Sequence, residues 1–152
     1  MNTNKIRSIY SMAFLLLIFG MFTSSCNLLY PKVPLNTKEG VKFIQDNLNE
    51  AILKSKTDKK PLFVMVHANY CSTCRNMLKT IFPEKSVGDY YNSKFINAIL
   101  DIDANSTDQF NKDYNIQGTP TFLLFSYDGK LIKKTSGFLD KDAIISFATD
   151  VN

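Results

Sequence analysis

Two cysteines separated by two residues, Cys71 and Cys74, carry the clearest chemistry in this chain. At this spacing two thiols can close into a disulfide without moving the backbone, and the bond can reopen by exchange with another thiol. The pair follows an apolar run, Leu62 to Val66, and enters a segment with helical character, Ser72 to Thr80. It therefore stands where a buried strand is expected to give way to a helix.

This position favours thiol-disulfide exchange. The reaction requires a thiolate, which the unpaired backbone N–H groups and the positive dipole end of a helix N-terminus stabilise. Cys71 is predicted to lie there, and Cys74, one turn deeper, could attack a mixed disulfide on Cys71 and release the substrate. Arg75 and His67 could add positive charge or a proton path, although a solvated arginine and an ordinary strand-end histidine are simpler interpretations.

A second candidate element is the loop Gly118-Thr119-Pro120-Thr121, directly before another apolar run. A proline at this point cannot donate to a sheet, and in a tight turn it can adopt the cis form. The carbonyl and N–H before it would then be exposed to an extended peptide. On its own a Thr-Pro pair is weak support, because most such bonds are trans.

The third cysteine, Cys26, has a separate context. Residues 1–25 are predicted to be an export signal, in which basic residues precede an apolar stretch from Ile9 to Phe22. Thr23-Ser24-Ser25 before Cys26 resembles the lipobox of bacterial lipoproteins, which predicts acylation of Cys26. Thr23 replaces the usual leucine, which leaves the cleavage site open. Roughly 14 apolar residues fall short of the ~20 that a spanning helix needs, and a plain cleaved signal or an uncleaved anchor remain alternatives.

The elements that must position these residues follow from periodicity and turn signals. Residues 26–36 are predicted to be a tether, and residues 37–152 a single domain. Asn36 and Glu39 form a capping-box pattern that predicts a helix to about Lys54. Strands are predicted at Leu62–Val66, Phe95–Asp101, Thr121–Phe125 and Leu131–Thr135, and further helices at Ser72–Thr80, Glu84–Tyr91 and Thr107–Tyr114 and after Asp140.

This order predicts an α/β fold with a central mixed sheet flanked by helices on both faces. The Asp128-Gly129 turn makes the last two strands antiparallel neighbours. The formal net charge of +4 comes without a Lys/Arg cluster interleaved with aromatic residues, so no nucleic-acid partner is expected. A closed zinc site needs four ligands, which Cys71, Cys74 and His67 do not supply, so no metal or other cofactor is expected.

Over roughly Thr37 to Asn152 the sequence resembles the thioredoxin superfamily. The resemblance rests on Tyr70-Cys71-Ser72-Thr73-Cys74, on the loop at residues 118–121, and on Asp128-Gly129 with Gly137 downstream. Within the superfamily the chain is most similar to the C-terminal periplasmic domain of the transmembrane thiol-disulfide interchange reductase and to related lipid-anchored proteins. The resemblance implies a thioredoxin fold.

The same resemblance implies roles for the site residues. Cys71 would be the nucleophile, Cys74 the resolving cysteine of a redox-active disulfide, and Pro120 a cis-proline that binds substrate together with Thr119. Tyr70 replaces the usual tryptophan and would keep a flat apolar docking surface. Met65 stands where many members bury an acidic residue that accepts a proton from the resolving cysteine. Water or His67 would then have to take that proton.

We therefore expect a membrane-anchored, monomeric thiol-disulfide oxidoreductase that faces the periplasm, with lipid on Cys26. Its partners would be exported proteins with thiols or disulfides and an unidentified electron-transfer protein, and the resemblance favours reduction. The alternative is a non-catalytic binding module in which Cys71 and Cys74 form a static disulfide. The sequence leaves open the substrate, the direction of electron flow, and the membrane to which the chain attaches.

Overall fold

A mixed sheet of five strands, in the order β1-β3-β2-β4-β5, forms the centre of the computed structural model, which describes residues 33–149 and 151. Strands β1, β3 and β2 are parallel, whereas β4 runs antiparallel to both β2 and β5. The middle strand β2 is buried along its whole length, as its apolar sequence predicts. The strands are β1 Phe43–Gln45, β2 Leu62–His67, β3 Ile96–Asp101, β4 Thr121–Phe125 and β5 Leu131–Ser136.

Helices cover both faces of the sheet, which confirms the predicted layers. One core cluster joins the sheet to α2, α3 and α5, and a second joins it to α1 and α4. A short 3-10 turn, Asn105–Thr107, precedes α4. The helices are α1 Leu48–Asp58, α2 Ser72–Thr80, α3 Lys85–Lys94, α4 Asp108–Asp113 and α5 Lys141–Phe147.

The helix predicted from Asn36 to Lys54 is wrong in its first half. Asn36 has a φ of +61°, and its side chain instead holds the backbone of Phe43, accepting from its N–H and donating to its carbonyl at 3.1 Å. The helix N-cap is Asn47, whose side chain accepts from the Glu50 N–H at 3.1 Å and donates to the Glu50 carboxylate at 2.9 Å. The predicted capping pair, Asn36 with Glu39, is therefore wrong, and the side chain that caps this helix is that of Asn47.

The residues before α1 form the edge strand β1, parallel to β3. Phe43 of this strand enters the same core cluster as Cys74. Val33 and Leu35 also pack against that cluster, so part of the segment predicted as a tether contacts the domain. Cys26 and the predicted export signal lie outside the described residues. No helix in the described part of the chain has the length and apolar character needed to cross a bilayer.

Candidate active site

Cys71 and Cys74 form a disulfide at the start of α2, with their Cα atoms 5.3 Å apart. Cys71 is the N-cap of the helix, and its Sγ accepts a hydrogen bond from the Cys74 N–H at 3.1 Å. The Cys71 carbonyl accepts from the Arg75 N–H, also at 3.1 Å. The first N–H groups of a helix have no intrahelical partner. Here the Cys71 sulfur accepts a hydrogen bond from one of these groups, the Cys74 N–H.

The two cysteines differ in access to solvent. Cys74 is completely buried in the core cluster beneath α2, whereas Cys71 is partly exposed. A partner protein can therefore reach Cys71 and not Cys74. This asymmetry suits a reaction in which one thiol attacks from the surface and the other attacks from inside.

The loop before β4 lies against the disulfide. The Thr119–Pro120 peptide bond is cis, and the Thr119 carbonyl oxygen lies 3.6 Å from the Cys71 Sγ. Pro120 is buried, and its carbonyl accepts from the Gly137 N–H at 2.9 Å. The Thr121 hydroxyl donates to the Gly118 carbonyl at 2.7 Å. These bonds hold the loop beside the sulfur atoms.

Two large apolar side chains are exposed in the segments that adjoin Cys71 and the Pro120 loop. Tyr70, directly before Cys71, has 58% of its surface exposed, and Phe138 has 51% exposed. Phe138 follows Gly137, which is bonded to the Pro120 carbonyl. The sequence interpretation did not include Phe138 among the site residues. The sequence offered one signal for this residue, which is that Phe138 directly follows Gly137, the glycine that ends the hairpin.

His67 ends β2 and lies in register with Asp101 of β3. It is 8% exposed, and its Nε2 has no hydrogen-bond partner among the described residues. Burial lowers the pKa of His67 below its ordinary value, while the carboxylates of Asp101 and Asp46 act in the opposite direction. The imidazole is therefore biased towards its neutral form at neutral pH.

Arg75 is connected to the loop that precedes the cysteines. Its guanidinium donates to the Asn69 carbonyl at 2.8 Å, and the Asn69 amide donates to the Asp101 carboxylate at 2.9 Å. The arginine is partly buried and not simply solvated. It helps to fix the turn between β2 and α2.

Two other features of the described residues bear on chemistry. They include no group of three or more His, Cys, Asp or Glu side chains arranged to bind a metal ion. A cavity of about 440 Å³ lies between α1 and α4, lined by residues such as Ile52, Phe110 and Phe125. These residues pack in the second core cluster, so the cavity is on the face of the sheet opposite Cys74.

Comparison with known proteins supports the same interpretation. A family model described as a thioredoxin-like domain matches residues 48–152. The thiol:disulfide interchange protein DsbD of Pseudoalteromonas atlantica is 26% identical over 109 residues, which are 70% of this chain and 18% of that protein. A protein disulfide-isomerase of Datisca glomerata is 21% identical over 140 residues, which are 92% of this chain and 27% of that protein. The chain thus spans less than a third of either relative.

Solved structures share the fold. A proposed disulphide isomerase from Bacteroides thetaiotaomicron superimposes with a TM-score of 0.65 at 24% identity, covering 73% of this chain and 92% of that one. The oxidised C-terminal domain of DsbD from Neisseria meningitidis gives a TM-score of 0.57 at 20% identity, covering 68% of this chain and 94% of that one. These likenesses confirm the fold predicted from the sequence.

Proposed function

The chain belongs to the thioredoxin-like family of disulfide oxidoreductases, and we propose that it exchanges disulfides with exported proteins outside the cytoplasm. One arrangement carries the proposal. A partly exposed sulfur at a helix N-terminus, that of Cys71, lies beside the Thr119 carbonyl, with the second sulfur, that of Cys74, buried behind it. Such an arrangement presents one reactive thiol to a partner and withholds the other.

In the first step of reduction, the Cys71 thiolate attacks a disulfide of the substrate. A sulfur–sulfur bond forms between Cys71 and one substrate sulfur, and the substrate disulfide breaks. The other substrate sulfur leaves as a thiolate and takes up a proton. The backbone N–H groups at the start of α2 stabilise the attacking thiolate.

In the second step, Cys74 attacks the Cys71 sulfur of the mixed disulfide. The Cys71–Cys74 bond forms, the bond to the substrate breaks, and the second substrate thiol is released. Two electrons have then passed from the dithiol to the substrate. A separate electron donor must reduce the new disulfide before another turnover, and oxidation of a substrate is the same sequence in reverse.

We assign substrate binding to Tyr70, Thr119 and Pro120, with Phe138 added. The apolar side chains offer surface for the residues around a substrate disulfide. The backbone at Thr119 offers a carbonyl for an extended segment next to Cys71. Recognition through backbone and apolar surface would accept many sequences, which suits a protein with several exported substrates.

We favour reduction, because the sequence resembles the C-terminal periplasmic domain of the transmembrane thiol-disulfide interchange reductase. The named relative from Pseudoalteromonas atlantica is a thiol:disulfide interchange protein, which supports exchange without fixing its sense. Potentials of such pairs span about −270 to −120 mV. Acid quenching and alkylation of the chain in its native cells would decide the direction, because a reductase is held mostly reduced and an oxidase mostly oxidised.

The proposed location follows from the predicted lipobox. Lipid on Cys26 would hold a monomeric domain at a membrane surface facing the periplasm, within reach of exported proteins. The electron-transfer partner would have to approach the same exposed face of Cys71.

Insulin reduction by the full chain tests the activity. With dithiothreitol as donor, we expect the wild type to accelerate the reaction and Cys71→Ala to abolish the acceleration. Reduced Cys74→Ala, mixed with insulin after dithiothreitol has been removed, should form a covalent adduct that added dithiothreitol then releases. Equal rates for the wild type and Cys71→Ala, or a disulfide that resists dithiothreitol in the folded chain, would reject the proposed function.

A further inference from the structure

Thr121, the first residue of β4, has a buried hydroxyl group that is bonded to the loop before it. The residue is 1% exposed. Its Oγ1 lies 2.7 Å from the Gly118 carbonyl oxygen and 2.8 Å from the Ser136 Oγ. The hydroxyl therefore connects the loop that lies against Cys71 to the neighbouring strand, β5.

The two hydrogen bonds of this hydroxyl have a fixed direction. A hydroxyl group has one proton to donate, and a carbonyl oxygen can only accept. The Thr121 proton must therefore go to the Gly118 carbonyl. The Ser136 hydroxyl then donates to the Thr121 oxygen, so the bonds run from β5 through Thr121 to the loop.

The Thr121 side chain lies on the face of the sheet opposite Cys74. Successive side chains of a strand alternate between the two faces. Phe122 belongs to the core cluster that contains Cys74, whereas Leu123 belongs to the second cluster. Thr121 is two residues from Leu123 and shares its face. Its hydroxyl therefore draws the Gly118 carbonyl away from the side of the cysteines.

The direction of this carbonyl determines the direction of the N–H group that follows it. The Gly118 carbonyl and the Thr119 N–H belong to one trans peptide unit. In such a unit the two groups lie in one plane and point in opposite directions. Because the carbonyl is held by Thr121 on one side, the Thr119 N–H points towards the other side. Cys71 packs on that side, with its Sγ 3.6 Å from the Thr119 carbonyl oxygen.

We propose that Thr121 is a positioning residue for substrate binding, whose hydroxyl orients the Gly118–Thr119 peptide so that the Thr119 N–H donates to a backbone carbonyl of an extended substrate segment. This inference rests on the proposed function. A backbone donor recognises the main chain of a substrate and no particular side chain. Thr121 therefore affects the binding of every protein substrate, and it leaves the chemistry at the sulfur atoms to Cys71 and Cys74.

Replacements of nearly the same shape test this role. Thr121→Val keeps the branched shape and removes the hydroxyl, whereas Thr121→Ser keeps the hydroxyl and removes the methyl group. Both are made in the full chain carrying Cys26→Ser and are assayed for insulin reduction with dithiothreitol as donor. The reduced chains are also mixed with 2,2'-dithiodipyridine, a small aromatic disulfide without carbonyl groups. Circular dichroism checks their folding.

We expect Thr121→Val to raise the KM for insulin about three- to tenfold, which is the effect of losing about one backbone hydrogen bond. The kcat for insulin and the rate with 2,2'-dithiodipyridine should change less than twofold, because neither depends on the Thr119 N–H. Thr121→Ser should bring the KM back to within about twofold of the wild-type value. A purely structural role for Thr121 would instead lower the rates with both disulfides.

Ser55→Ala is the matched control. Ser55 is 2% exposed, and its hydroxyl donates to the Lys60 carbonyl at 2.6 Å. Lys60 precedes β2, whereas the cysteines follow it, so this bond lies at the other end of the strand. Ser55→Ala removes a buried hydroxyl-to-carbonyl bond of the same kind, and it should leave the KM for insulin unchanged.

Hydrogen exchange provides a second measurement that requires no change at Thr121. Reduced Cys74→Ala, again with Cys26→Ser, is converted to a mixed disulfide with a short peptide that contains one cysteine. In this adduct the Thr119 amide should exchange with deuterated water at least about tenfold more slowly than in the free reduced variant, because it donates to the peptide. Nuclear magnetic resonance of the ¹⁵N-labelled chain measures the exchange.

The outcomes separate this inference from the proposed function. If the chain with Thr121 intact reduces insulin no faster than Cys71→Ala, the proposed function is rejected. An active chain in which Thr121→Val leaves the KM unchanged, or in which Ser55→Ala raises it equally, contradicts the role of Thr121. If Thr121→Val unfolds, the Thr119 amide decides, and equal exchange in the adduct and the free variant would overturn the inference.

Discussion

At the scale of single residues, the surface around Cys71 is set by a few exposed apolar side chains. Tyr70 and Phe138 leave about half of their surface in water. Tyr70 directly precedes Cys71, and Phe138 directly follows the glycine that is bonded to the Pro120 carbonyl. Exposed aromatic side chains in this setting contribute little to folding. They are available to contact a partner protein.

Truncating these side chains should therefore weaken substrate binding and leave the fold intact. We expect Tyr70→Ala and Phe138→Ala each to raise the KM for insulin about three- to tenfold, with the thermal unfolding midpoint unchanged. Reaction with a small aromatic disulfide should be unaffected, because it makes few contacts outside the sulfur atoms. Kinetic measurements with both substrates check this.

Leu53 provides the matched control. It is 67% exposed but lies on α1, on the face of the sheet opposite Cys74. Leu53→Ala should change neither KM. An equal rise in the KM for insulin in Leu53→Ala and Tyr70→Ala would mean that exposed apolar side chains bind insulin nonspecifically.

The two reactive cysteines could be predicted because the sequence pattern that identifies them is local. The spacing of Cys71 and Cys74 and the apolar run before them are visible in a few neighbouring positions. The contact between the Thr119 carbonyl and Cys71 joins residues far apart in the chain, and only the resemblance suggested it. The isolation of the His67 Nε2 depends on every group packed around it, which no local pattern contains.

At the scale of elements, α3 packs unusually close to the chain before β1. A Cβ atom added at Gly88 would lie 2.1 Å from the Glu39 carbonyl oxygen and 2.8 Å from the Gly40 carbonyl carbon. Asn92, one turn further along α3, accepts from the Lys42 N–H at 2.8 Å and donates to the Gly40 carbonyl at 3.1 Å. The helix is thus bonded directly to the backbone that leads into β1.

We expect Gly88→Ala to destabilise the chain by about 1–3 kcal/mol, because the new methyl group meets backbone that cannot move aside. Denaturant unfolding followed by circular dichroism measures the change. Gly118→Ala is the control, since nothing lies within 4 Å of its added Cβ atom. A Gly88 variant as stable as wild type would show that α3 can shift away from this segment.

The same region is where the sequence was hardest to interpret. Val41, Ile44 and Leu48 recur at helical spacing, yet only Leu48 belongs to a helix. Strand β1 has three residues, too few to display an alternating pattern, and its conformation depends on pairing with β3. The elements with their own end signals were predicted closely, among them α2 and the Asp140 cap of α5.

At the scale of the whole molecule, the proposed attachment through Cys26 is independent of the redox chemistry. We expect Cys26→Ser to move the protein from the membrane fraction to the soluble fraction when expressed in its native cells. Insulin reduction by the purified variant should stay within about twofold of the wild type, because residues 33–149 contain the whole site. Cell fractionation and a radiolabelled fatty acid check the attachment.

Ser25→Ala is a suitable control, since it keeps a small residue before the cysteine. Retention of the Cys26→Ser protein in the membrane, without incorporated fatty acid, would favour an uncleaved anchor. Release of the wild-type protein would favour a plain cleaved signal.

The outer edge of β5 has a consequence for behaviour at high concentration. In the sheet order β5 is terminal, so among the described residues its outer N–H and C=O groups meet no other strand, while Leu131 and Ile132 are exposed on it. Such an edge is a template for aggregation. Lys133 and Lys134 follow at once, turned to opposite faces, where their ammonium groups bond the Thr149 and Tyr114 carbonyls. Two copies aligned along this edge would bring like charges together, a safeguard against fibrous self-assembly.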